Sequence, residues 1–84
     1  SETVPEMDFP GVNLRRGQRG YHILELQRAL NTLLGQKTVG ESGTFDNSTE
    51  SAVREYQRRT GRTSDGIVNE ELWNEIFSDN ELLL

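Results

Sequence analysis

Six residues carry most of the binding chemistry this 84-residue chain can offer: Arg16, Arg19, Tyr21, His22, Gln27 and Asp65. The first four crowd into Leu14-Arg15-Arg16-Gly17-Gln18-Arg19-Gly20-Tyr21-His22, where two glycines punctuate a turn ahead of a strongly periodic run. The first turn of a helix leaves backbone N–H groups unpaired and carries the positive end of the macrodipole, which favours a carboxylate. Arg16 and Arg19 would add guanidinium donors there, and Tyr21 and His22 a ring and a further donor. This is chemistry for holding a polar or anionic group. The plainer alternative is a solvated basic loop, because exposed charges ordinarily contribute little.

Gln27 falls inside an apolar helical arc, and a buried amide without partners costs about 1–3 kcal/mol. Its expected role is to tie down loop backbone, as Gln57 would do later in the chain, with ligand contact as the other reading. Asp65-Gly66 is read first as a turn and second as a ligand acceptor. Trp73 is read as core, since Val68 and Trp73 stand at the spacing of a hydrophobic staple. No constellation for catalysis is visible. His22 is the single histidine, there is no cysteine, and Glu70 and Glu71 are adjacent on a helix, so they point about 100° apart. The same inventory offers no thiolate zinc site and no cofactor motif.

The elements that must position these residues follow from periodicity. Counted from Ile23 at about 100° per residue, Leu26, Gln27, Leu30, Leu33 and Leu34 share an arc of about 120°, which predicts a core-facing helix over Tyr21–Leu34 closed by Gly35. Residues 36–44 read as a loop that delivers Phe45 to the core. A second helix begins among the cap-forming residues Asp46, Asn47 and Ser48, buries Ala52, Val53 and Tyr56, and ends at Gly61. After the turn at Ser64-Asp65-Gly66, Asn69 caps a third helix, Asn69–Phe77, with Glu70 and Glu71 at its positive end. The expectation is an all-α, compact three-helix domain of about 14, 12 and 9 helical residues. Leu26-Gln27-Arg28 and Tyr56-Gln57-Arg58 echo one another, which suggests two related helix-loop units. Residues 1–12, with Pro5, Pro10 and Gly11, read as an extended lead-in outside the core, 13–78 as the domain and 79–84 as a tail.

Composition sets the outer limits. Nine Lys and Arg stand against 14 Asp and Glu, for a net charge of −5. All nine bases lie within residues 13–62, and both ends of the chain are acidic. A domain acidic overall, with Glu70, Glu71 and Glu75 on its third helix, is a poor reader of nucleic acid. No apolar run approaches the roughly 18 residues of a membrane span, so no membrane partner is expected. No signal segment opens the chain, which leaves any export route open.

At Leu14-Arg15-Arg16-Gly17-Gln18-Arg19-Gly20, then Ile23 and Leu26-Gln27-Arg28-Ala29-Leu30-Asn31, the chain resembles the three-helix peptidoglycan-binding domain carried by bacterial and phage cell-wall hydrolases. The likeness continues through Gly43-Thr44-Phe45, Thr49, Ala52-Val53, Tyr56-Gln57, Gly61, Asp65-Gly66-Ile67-Val68 and Leu72-Trp73, covering about residues 14–77. Where that family usually has Gly after the Phe and after the Ile-Val pair, this chain has Asp46 and Asn69. Arg62 stands where an apolar residue is usual.

The resemblance implies a non-catalytic, monomeric module that binds the glycan or stem peptide of peptidoglycan, outside the cytoplasm, and tethers a covalently attached hydrolase such as an endolysin of a bacteriophage. The sugar rings, amides and carboxylates of that polymer suit Arg16, Arg19, Tyr21, His22, Gln27 and Asp65 as ligand residues. The rival reading is a protein-interaction or assembly module on the same fold.

Overall fold

The computed structural model describes residues 9–35 and 39–83, with side-chain surroundings as far as Ser78. Helix α1 is Tyr21–Leu34, α2 is Asn47–Arg59 and α3 is Glu70–Leu83. The apolar stripe of α1 puts Ile23, Leu26, Ala29 and Leu30 in the core, and the helix stops at Gly35, whose φ of 79° lets its N–H return to Asn31 O at 3.1 Å. Asp46 caps α2 by accepting from Thr49 N at 3.0 Å. Asn69 caps α3 in the same way, through Leu72 N at 2.8 Å. The two residues that depart from the usual glycines therefore close the starts of helices.

Helix α1 lies in the middle and packs on both α2 and α3. The segment Leu14–Gly20 runs beside the two loops that lead into those helices. Leu14 exchanges backbone hydrogen bonds with Val68 at 2.9 Å each way, Phe45 N donates to Gln18 O at 2.8 Å, and Gly20 N donates to Gly43 O at 2.9 Å. These pairings form two isolated antiparallel bridges, Leu14 with Val68 and Arg19 with Thr44. Trp73, Phe45, Val53 and Val68 are buried, as the staple spacing and the Phe45 reading anticipate.

Two expectations need correction. Helix α3 runs on past Phe77 to Leu83, for 14 residues, so the boundary between domain and tail at 78/79 falls inside one helix. No glycine or proline follows Asn69, so nothing in the backbone chemistry stops the helix. The lead-in is also not wholly outside the core. Phe9 is half-buried against it, its ring edge-on to Trp73 with centroids 6.1 Å apart. Burying part of a phenyl ring outweighs the lack of any periodic pattern around it. The rest of the lead-in as far as Asp8 lies outside the described residues.

A candidate ligand-binding cleft at the start of the first helix

The loop after α1 returns to that helix and is fastened there by side chains. Asn31 makes a two-way pair with Val39, Nδ2 donating to its carbonyl and Oδ1 accepting from its N–H, both at 2.9 Å. One helical turn earlier, Gln27 Nε2 donates to Thr44 O at 2.8 Å and to Thr49 Oγ1 at 2.9 Å, while its Oε1 accepts from Gly43 N at 2.9 Å. Fully buried and engaged at both ends of its amide, Gln27 is a tie for the loop, as its structural reading expects.

The fastened loop and the start of α1 enclose a shallow cleft of about 520 Å³, lined by Arg19, Gly20, Tyr21, Leu24, Ser42, Gly43 and Thr44. Gly20 at the N-cap has no side chain to satisfy the first N–H groups, and the first turn of α1 has no acid, whereas α2 and α3 have both a capping side chain and acids in theirs. Tyr21 stands 62% exposed on the rim. Its phenol pKa is raised, first by a hydrogen bond to Glu25 and then by that residue's charge. Glu25 is joined to Arg28 at 3.3 Å, and Arg28 reaches Glu41 on the returning loop at 3.8 Å. A guanidinium, an aromatic ring and two hydroxyl-bearing residues thus line one space at the start of α1, whose N-cap supplies no side-chain hydrogen bond. That set can take up a carboxylate, an amide or sugar hydroxyls.

The other expected site residues lie elsewhere. Arg16 is 3.7 Å from Glu50 on α2. His22 is half-buried, its ring 6.0 Å from that of Trp73. Asp65 serves its own turn: Oδ1 accepts from Gln57 Nε2 at 2.8 Å and from Ile67 N at 3.0 Å, and the Ile67 N–H above all holds the carboxyl below its ordinary pKa. Only Arg19 and Tyr21 share the cleft. Leu24 and Ser42 belong to it without a distinguishing mark in the sequence, and Thr44, marked only by the family likeness, is brought there with its loop by the Gln27 tie across 16 residues or more. A second cleft of about 630 Å³, beside Phe9, Asn13, Asn69, Glu70, Glu71 and Asn74, has the wrong sign for an anion. Among the described residues, no three His, Asp or Glu side chains are gathered to hold a metal.

The sequence profile of the peptidoglycan binding domain family matches residues 19–76, well over half of the chain. The chain belongs to the peptidoglycan-binding domain family. Among solved structures, it is similar to a peptidoglycan-binding protein from Clostridioides difficile, crystallised in complex with glutamine hydroxamate, with 30% identity and a TM-score of 0.74. That likeness covers 82% of this chain and 42% of the other, so the chain spans less than half of that relative. In this peptidoglycan-binding domain the unusual Arg62 pairs with Glu75 of α3, which accounts for a polar residue at that rim.

Proposed function

We propose that the domain binds peptidoglycan through the cleft at the start of α1, and that it tethers an attached cell-wall hydrolase to its insoluble substrate. Membership of a peptidoglycan-binding family supports the polymer and a non-catalytic role acting at the cell wall. The observation that carries the choice of surface is the meeting of Arg19 and Tyr21 with the uncapped first turn of α1. A stem-peptide carboxylate would lie against the guanidinium and the helical N–H groups, and a sugar or peptide face against the Tyr21 ring. Tethering gains rate by raising the hydrolase's effective concentration at the wall, with no new chemistry. The domain acts in this reading as a monomer. Asp46 and Asn69 are occupied as helix caps, so their replacement of glycine does not favour an assembly module over a wall binder.

The test is co-sedimentation with purified, protein-free sacculi, with and without teichoic acids. The unmodified chain is expected in the pellet. Arg19→Ala and Tyr21→Ala are each expected to move it toward the supernatant with an unchanged melting temperature, since both side chains lie on the cleft rim. A parent chain that stays in the supernatant throughout defeats the reading. Variants that bind as well as the parent move the site elsewhere.

A further inference from the structure

The two buried glutamines divide the molecule into two half-units of one design. Gln27 holds Gly43 and Thr44, and three residues after Gly43 comes the cap Asp46. Gln57 holds Gly66 and Ile67, with Gly66 N donating to Oε1 at 2.9 Å and Nε2 donating to Ile67 O at 3.2 Å, and three residues after Gly66 comes the cap Asn69. In the first half-unit the clasped Gly43 faces Leu24, the fourth residue after the α1 cap, and the open cleft lies there. In the second, the clasped Gly66 faces Glu50, again the fourth residue after a helix cap. A Cβ on Gly66, whose φ is also +78°, would come within 2.8 Å of Glu50 Cγ and 3.1 Å of Arg54 Nε. The counterpart of the cleft is therefore filled.

What fills it is a carboxylate between two guanidiniums. Glu50 Oε1 is 3.7 Å from Arg16 Nη1, and Oε2 is 3.8 Å from Arg54 Nη2. Both separations exceed a hydrogen bond, so the attraction is one of charge without fitted geometry. The side chains of Arg16 and Arg54 are 58% and 49% exposed, that of Glu50 only 26%.

We propose that Arg16 and Arg54 form a carboxylate site in the second half-unit, and that Glu50 occupies it as an internal ligand. Two planar guanidinium forks suit a carboxylate, and Gly66 leaves room on that side for a carboxylate-bearing chain and for no Cβ of its own. With Glu50 in place the domain offers one open cleft. With Glu50 removed it offers a second anion site. The correspondence with the first cleft rests on the reading of that cleft as the ligand site, whereas the arginine pair stands by itself.

The experiment uses the 84-residue chain, labelled with 15N and titrated with sodium acetate against sodium chloride at matched ionic strength. In Glu50→Ala and Glu50→Gln, the Gly66 amide and the Nε–H signals of Arg16 and Arg54 are expected to shift along a saturating curve with acetate and not with chloride. The parent is expected to give no saturating shift at these signals, and adding Arg16→Ala to either variant to abolish it. Glu50→Gln keeps the packing against Gly66, so it decides the matter if the alanine variant loses its fold. The proposal is overturned if the glutamine variant gives no saturating shift, if the parent saturates at the same acetate concentration, or if the shift survives loss of Arg16. Acetate replaces the sacculus here, so this proposal and the proposed function fail separately.

Discussion

At 0% and 4% exposure, Gln27 and Gln57 each engage both ends of the amide with a loop that returns to the core. Glutamine suits the task because it donates and accepts from one planar group, and neither end is left unpaired in the apolar interior. Gln27→Ala is expected to destabilise the domain by about 2–3 kcal/mol, from stranding Gly43 N–H and Thr44 C=O and from the space left behind. Gln27→Glu, which keeps the volume but loses the donor, is expected to cost a similar amount. Chemical denaturation measures both. If Gln27→Ala left stability unchanged, the amide would be no structural tie. The burial of Gln27 was legible, because it sits in the apolar arc of a helix. Its three partners were not, since one of the two segments they belong to is a loop without periodicity.

The helices differ most at their starts, and one of three carboxyls held below their ordinary pKa lies at such a start, the others in the turn before α3 and on the exposed face of α2. Asp46 is held below its ordinary pKa mainly by the Thr49 N–H at the start of α2, and Asp65 mainly by the Ile67 N–H in the turn leading to α3. Glu55 is lowered by Arg59 and Arg58, on the exposed face of α2. A lowered folded pKa means that the unfolded chain takes up its protons first as pH falls. The stability from these carboxylates is therefore complete above about pH 4, the ordinary carboxylate value, and is lost as pH falls through the lower folded values. Thermal melts followed by circular dichroism are expected to show a falling midpoint from about pH 4 downward, and Asp46→Asn combined with Asp65→Asn to flatten that fall. An unchanged slope in the double variant would mean the two carboxyls are not bound as described. Helix α1, with no acid in its first turn and a glycine cap, takes no part in this protection, and its uncapped end borders the cleft.

Over the whole molecule, charge is segregated. The chain has a net charge of −5, yet all its bases lie in residues 13–62, which hold the cleft and the Arg16–Glu50–Arg54 group. A bacterial wall rich in anionic polymer repels such a molecule weakly at long range, so the proposed binding rests on short contacts around Arg19 and Tyr21. Raising salt from about 0.1 M to about 1 M shortens the screening length from about 10 Å to about 3 Å, and the affinity for sacculi is expected to fall by less than about tenfold. Sedimentation at several salt concentrations measures this. A loss of several hundredfold would mark diffuse charge adhesion in place of a fitted site.

The sequence by itself determined the three helices except the reach of α3, the caps at Gly35 and Asn69, and most of the core, because those depend on neighbours three or four residues apart and on local backbone chemistry. It also carried the family, through the order and spacing of glycines, glutamines and apolar pairs. The tertiary structure alone decided how the basic loop divides. Arg19 and Tyr21 go to one cleft, Arg16 goes to Glu50, His22 to the Trp73 ring and Asp65 to Gln57. It also decided that Phe9 joins the core and that Ser42 and Thr44 complete the cleft wall. These outcomes turn on contacts between residues far apart in the chain. Such contacts leave no period in the sequence, and they are fixed only when the loops close onto α1 and α2.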